Sequence, residues 1–177
     1  MEQVCMFQSF ALSKSLTDVQ RSTIFSSLVM EESLKDTIYR LVVAHSHSTS
    51  SFDDFVKGKG RGLIGLFFGP PGAGKTLTAE AIAETAKMPL YAVSSGALGH
   101  EAMQIHERLS VILKLAGHWK AVLLLDEADV FLAQRTITDI ERNAIVSIFL
   151  RELEYYQGIL LLTTNQVDVI DEAFQSK

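Results

Sequence analysis

The sequence predicts an α/β fold in which a parallel β-sheet lies between two layers of helices. Three observations predict it. Apolar runs of strand length recur at residues 63–68, 121–125 and 158–162, continuous rather than alternating, as expected of strands buried on both faces. Between them lie segments whose apolar residues repeat every three or four positions, so strands alternate with helices. The first run leads directly into Gly69-Pro70-Pro71-Gly72-Ala73-Gly74-Lys75-Thr76, which satisfies G-x-x-x-x-G-K-S/T in the strand–loop–helix setting that this spacing requires.

Length and composition bound what such a chain does. Its 177 residues suffice for one sizeable core, and one domain is expected. At 47% hydrophobic and 21% charged it is a globular chain, not a disordered one. A formal net charge of -5 leaves no basic footprint, so non-specific nucleic-acid binding is disfavoured. Cys5 is the only cysteine, which excludes an internal disulfide and a cysteine metal cluster. That suits a reducing compartment, and an intracellular, cytoplasmic location is expected, with nucleus and organelles left open. No apolar run approaches the roughly 18 residues that span a bilayer. Residues 1–12 lack the basic start of a secretory signal.

Taken in order, residues 1–30 are Ser/Thr-rich, carry little period, and form an N-terminal segment of uncertain order ahead of a core at 31–177. Leu34, Ile38, Leu41 and Val42 recur at helical spacing behind acidic Glu31 and Glu32, which predicts a helix over 31–44. His45-Ser46-His47 then opens a polar loop; the H-x-H pair has no third ligand beside it and is not read as a metal site. Phe52 to Val56 suggest a short helical turn, and residues 57–62 a flexible basic entry to the first strand.

Behind the glycine-rich loop, residues 75–87 predict a helix whose Ala79, Ala81 and Ala83 allow close packing on a sheet, with Pro89 barring its continuation. Residues 90–93 form a second strand, and 94–100 a Gly/Ser loop. Met103, Ile105, Leu109, Ile112, Leu113 and Ala116 line one side of a second core helix that Gly117 is placed to end. After the strand at 121–125, Asp139 is placed to cap a helix carrying Ile145, Ile148, Phe149, Leu153 and Tyr156. The last strand, 158–165, ends in Thr163-Thr164-Asn165, and 171–177 opens another helix.

The chemistry concentrates at the strand ends. Gly69, Gly72 and Gly74 let successive backbone N–H groups turn inward around phosphate oxygens. Lys75 supplies a point charge for the β- and γ-phosphates, Thr76 a hydroxyl for Mg2+, and the helix starting there points its positive end at the anion. Ligands of open α/β sheets bind beyond the carboxyl ends of the strands. Asp126 stands at such an end and is expected to hold Mg2+ opposite Thr76, in part through water. Glu127 suits a base for the attacking water, and Asn165 an amide that fixes that water or senses the γ-phosphate. Asp129 reads as solvated acidic loop.

With these residues in place, the chain resembles the AAA+ ATPase family. Residues 69–76 (GPPGAGKT) look like its Walker A, 123–129 (LLLDEAD) like its Walker B and 161–165 (LLTTN) like its sensor-1 strand. The runs DEADVFLAQR, ERNAIVSIFLRELEYY and TTNQVDVIDEAFQS, with SSFDDFVKGKGRGL ahead of Walker A, resemble in particular the AAA ATPases of filamentous fungi. The resemblance covers residues 25–177. It implies a P-loop NTPase fold, a three-layer αβα sandwich with a parallel sheet of order 5-1-4-3-2. It implies ATP and Mg2+ as ligands, ATP hydrolysis as the activity, and a homo-oligomer, a hexameric ring that remodels a macromolecule. Gly69, Pro70, Pro71, Gly72, Ala73, Gly74, Lys75, Thr76 and Leu77 are the implied nucleotide contacts, Thr76 and Asp126 the metal residues, and Glu127, Lys75 and Asn165 the catalytic ones.

Departures from the family pattern qualify these expectations. The resemblance stops at Lys177, ahead of the fifth strand, the arginine finger and the helical lid. Arg135, Arg142 and Arg151 do not fall at the finger position. A missing finger costs roughly 10³–10⁵ in rate in related phosphoryl-transfer enzymes, so slow hydrolysis is expected of this chain alone. Without the fifth strand, the first strand becomes an apolar edge, and marginal stability or aggregation is expected. The loop after the second strand lacks the aromatic residue of polypeptide-threading members, with Leu98 a weak substitute. Two other functions fit parts of the pattern. A GTPase would use Asn165-Gln166-Val167-Asp168 to select guanine, but Gln166 replaces the lysine of N-K-x-D and Asp126-Glu127-Ala128-Asp129 lacks the glycine of D-x-x-G. A nucleotide-responsive assembly module would bind ATP with little turnover.

Overall fold

Long apolar runs require cover on both faces, and the sheet is built with helices on each side. The computed structural model of the protein describes residues 25, 28, 30–47, 62–134 and 139–166. Among them, β1 (Leu63–Phe68), β2 (Leu90–Ser94), β3 (Val122–Asp126) and β4 (Ile159–Thr164) form one sheet in the order β1-β4-β3-β2. All three pairings are parallel. This is the expected order without its fifth strand. All six β4 residues are buried, whereas β1 pairs on one side among the described residues and, against the expectation of a strand buried on both faces, keeps Leu63 to Phe67 only partly buried and Phe68 60% exposed.

Helices cover both faces, giving three layers. Side chains alternate along a strand, so Leu123 and Leu125 of β3 and Leu160 and Leu162 of β4 enter one apolar cluster, while Val122, Leu124, Ile159 and Leu161 enter another. The first cluster is completed by α3 (Ala102–Trp119) and α5 (Ile140–Tyr155), and the second by α1 (Glu32–His47) and α2 (Lys75–Thr85). A short α4 (Asp129–Leu132), not anticipated as a separate element, buries Phe131 against Phe149, with ring centroids 5.0 Å apart.

Several boundaries differ from the sequence expectation for local reasons. Helix α1 runs on to His47 rather than stopping at 44, so the residues read as a polar loop form its last turn; His45 Nε2 lies 3.0 Å from the Gln157 carbonyl oxygen. Of its four apolar positions only Val42 is buried, Leu34 and Leu41 remaining about half exposed at 49% and 51%. Helix α3 passes through Gly117. It ends where Lys120 takes a left-handed conformation (φ 50) and the Ala121 N–H reaches back to the Ala116 carbonyl. Lys87 (φ 55) ends α2 in the same way, two residues before the proline expected to stop it. Met103 is 70% exposed and so is no part of the α3 core face. Asp139 caps α5 as expected, its Oδ1 accepting the Arg142 N–H at 2.9 Å. Most of the N-terminal segment, the helical turn expected at 52–56, the basic entry as far as residue 61 and the helix expected at 171–177 lie outside the described residues. Among the described residues no helix is long and apolar enough to cross a membrane.

Tyr156 closes the turn between α5 and β4. Its ring folds over Gly158, where any side chain would collide with it, and a Cβ at Gly62 would come within 2.5 Å of the Tyr156 carbonyl oxygen. The phenol is buried with no hydrogen-bond partner among the described residues, and burial pushes its pKa from 10.0 up to about 12. The folded state therefore keeps a proton that the unfolded chain releases above pH 10. Tyr156 thus leaves stability unchanged below pH 10, and stability falls as pH rises from 10.0 through about 12. Tyr156→Phe removes the unpartnered hydroxyl and should leave neutral-pH stability equal or higher by about 1 kcal/mol. Circular-dichroism unfolding curves between pH 9 and 12 check this: the variant should lose less stability over that window, and identical curves would contradict it.

Candidate nucleotide-binding site

The loop between β1 and α2 is shaped by its glycines. Gly72 (φ 78) and Gly74 (φ 82) occupy left-handed conformations, and no atom lies within 4 Å of a Cβ built on either, so backbone conformation rather than crowding calls for glycine there. Gly74 is also the N-cap of α2, and its carbonyl accepts both the N–H and the hydroxyl of Thr78. Pro70, Pro71, Gly72 and Ala73 are exposed along the crest, and Leu77 in the first turn of α2 is 51% exposed.

Lys75 bends back over this loop. Its Nζ donates to the Gly69 and Pro70 carbonyls at 2.8 and 3.0 Å and to Asn165 Oδ1 at 2.7 Å. The ammonium has three protons and all three are used. Residues 90 positions apart thus meet at one point, because β1 and β4 are parallel neighbours and both end there.

Asp126 ends β3 beside them. Thr76 Oγ1 lies 3.4 Å from each of its carboxylate oxygens, longer than a strong hydroxyl–carboxylate hydrogen bond. A hydroxyl and a carboxylate facing one another are hard oxygen donors of the kind Mg2+ takes. That ion is ordinarily held by one or two protein oxygens with phosphate and water supplying the rest. Among the described residues no group of three His, Cys, Asp or Glu side chains could hold a metal ion alone. The donor set fits Mg2+ arriving with a nucleotide.

Glu127 is exposed and sits at φ 58, a conformation that costs a residue with a Cβ of order 1–3 kcal/mol. Its backbone is pinned on both sides: its N–H donates to Thr163 Oγ1 at 3.0 Å and its carbonyl accepts from Ser95 Oγ at 2.6 Å. The next N–H, of Ala128, donates to the Thr163 carbonyl at 2.8 Å. Asp129 is not the solvated loop residue expected. It is half-buried, and its Oδ1 accepts from Thr164 Oγ1 and from the Asn165 N–H, fastening the start of α4 to the end of β4.

The structure therefore brings Lys75, Thr76, Asp126 and Asn165 together and places Glu127 next to Asp126. Ser95, Asp129, Thr163 and Thr164 are the polar residues that sequence reading did not assign to the site. The two threonines carried a signal, since hydroxyls interrupt an otherwise aliphatic buried strand. Leu98 is wholly buried in the short 3-10 turn Ser95–Leu98, so it presents no grip to a polypeptide. Arg135 lies outside the described residues, and Arg142 is held at the Asp139 cap.

A family model described as the ATPase family associated with various cellular activities (AAA) matches residues 65–177. An ATP-dependent zinc metalloprotease FtsH of Lachnoclostridium phytofermentans is 33% identical over 122 residues, 61% of this chain and 20% of that protein. Fidgetin-like protein 1 of Drosophila melanogaster is 28% identical over 155 residues, 82% of this chain and 29% of the relative. Among solved structures, a chain of the E. coli MS115-1 HORMA:CdnC:Trip13 complex superposes with a TM-score of 0.62 at 22% identity, over 91% of this chain and 65% of that one. That likeness concerns the fold. The chain spans between a fifth and a third of the length of these curated relatives. The matched stretch is more than half of the chain and runs from β1 through the phosphate loop to beyond β4: the chain belongs to the AAA family of ATPases.

Proposed function

We propose that the chain binds Mg-ATP where the phosphate loop meets the ends of β3 and β4, and hydrolyses it to ADP and phosphate. The observation that carries this is the convergence of the Lys75 ammonium and the Asn165 amide, 2.7 Å apart, beside the facing Thr76 and Asp126. In this reading the backbone from Gly69 to Thr76 receives the phosphates, with Leu77 flanking them, and Lys75 neutralises the β- and γ-oxygens. Thr76 and Asp126 hold Mg2+, which supplies charge neutralisation on the phosphate oxygens when bound. Asn165 orients the attacking water, and Glu127 takes its proton as the oxygen bonds the γ-phosphorus and the bond to the bridging oxygen breaks.

Residues 31–177 act as the ATPase core, with 1–30 a preceding segment. In a longer parent protein the core works as one subunit of a homo-oligomeric, hexameric ring that couples hydrolysis to remodelling of a macromolecule. A second reading is a nucleotide-responsive assembly module with little turnover: none of Arg135, Arg142 and Arg151 falls at the finger position, and Arg142 faces Asp139 instead, whereas the presence of Glu127 opposes it. Phosphate release from ATP, with and without Mg2+ and with GTP as competitor, tests the proposal. Metal-dependent release that GTP does not suppress is expected. Suppression by equimolar GTP would overturn the choice of nucleotide, and Mg-ATP binding without release would favour the assembly module.

A further inference from the structure

Thr163 is 1% exposed, and both functions of its hydroxyl are committed to the end of β3. Its proton goes to Asp126 Oδ1, and its oxygen accepts the Glu127 N–H at 3.0 Å. A hydroxyl has one proton to give, so Thr163 can serve no other acceptor while it holds Asp126. The placement follows from register. The β3–β4 pairing ends at Leu125↔Leu162, so Asp126 and Thr163 are the next pair along. By the alternation of side chains both point to the face that carries Ile159, Leu161, Val122 and Leu124, which is the face covered by α2 and hence by Thr76. Thr164, one residue on, points the other way and bonds Asp129 instead.

One buried hydroxyl thus fixes the rotamer of the carboxylate that faces Thr76 and braces the left-handed backbone of the neighbouring glutamate. We infer that Thr163 is a positioning residue for the metal end of this site: it presents the Asp126 carboxylate to Mg2+ and fixes Glu127 beside it. The inference rests on the nucleotide reading given above. A threonine that merely filled the strand end would be replaceable by valine, which has the same shape and no hydroxyl. A positioning threonine would be replaceable by serine and not by valine.

The experiment uses the full chain and measures equilibrium binding of a fluorescent ATP analogue without metal and across a Mg2+ titration, for wild type, Thr163→Val and Thr163→Ser, beside thermal melts. Hydrogen-bond partners of a metal-binding carboxylate ordinarily account for about 10–100-fold in metal affinity, so Thr163→Val should raise the Mg2+ concentration for half-maximal effect roughly 10-fold or more and leave metal-free binding within about twofold. Thr163→Ser should restore the wild-type dependence. An unchanged Mg2+ titration in Thr163→Val, with only its melting temperature lowered, would overturn the inference and leave the nucleotide site standing. Absence of analogue binding by wild type would instead remove the nucleotide reading itself. If the valine variant does not fold, Thr163→Ala, which removes the same hydroxyl with less bulk, gives the same readout.

Discussion

Glu127→Gln is expected to lower the rate of ATP hydrolysis by about 10²–10⁴ while Mg-ATP stays bound, the range that loss of a positioned general base costs. The substitution is informative here because the Glu127 backbone, not its side chain, makes the local contacts. Ser95 and Thr163 hold its carbonyl and N–H, and glutamine leaves both bonds in place. The side chain is exposed beside Asp126, so its loss opens no cavity. What disappears is the carboxylate that accepts a proton from water. Single-turnover phosphate release checks the rate, and retention of labelled nucleotide checks the binding. An unchanged rate would show that Glu127 is not the base.

Asn165→Ala is expected to lower turnover by about 10²–10³ with nucleotide affinity nearly unchanged, the usual cost of deleting one positioned polar group around a reacting oxygen. Asn165 Oδ1 is also the third acceptor of the Lys75 ammonium, so alanine frees that proton without removing the charge. The Asn165 N–H stays on Asp129, which keeps the end of β4 in place. Steady-state kinetics should therefore show a fall in kcat with KM moved little. A rise in KM with kcat preserved would make Asn165 a binding residue instead.

What was legible in the sequence was what repeats or what stands at a fixed offset. The apolar runs at β3 and β4 announce strands buried on both faces because they are short, continuous and alternate with helical segments, while β1 carries the same pattern and is only partly buried. Asp139 announces the start of α5 because its side chain acts three residues away. The phosphate loop, Asp126 and Asn165 were found because each lies at the end of such a run. The rest depended on contacts between distant segments or on single backbone torsions. Lys120 ends α3 in a conformation usually taken by glycine, so Gly117 drew attention to the wrong position. Leu98 turns inward within one 3-10 turn, and no periodic pattern is long enough there to show it. Asp129 and Thr163 are ordinary polar residues until β3 and β4 lie side by side; then their partners stand 35 and 37 positions away in sequence.

If Lys75 and the loop beneath it receive the phosphates of ATP, as proposed, equilibrium binding of a fluorescent ATP analogue should differ between wild type and Lys75→Ala. A charge-assisted hydrogen bond contributes about 1.5–3 kcal/mol, so the variant should bind at least about 10-fold more weakly, with its melting temperature near that of wild type. Equal affinity in the two proteins would contradict a phosphate-binding role for Lys75, and so would a folded wild type that does not bind at all.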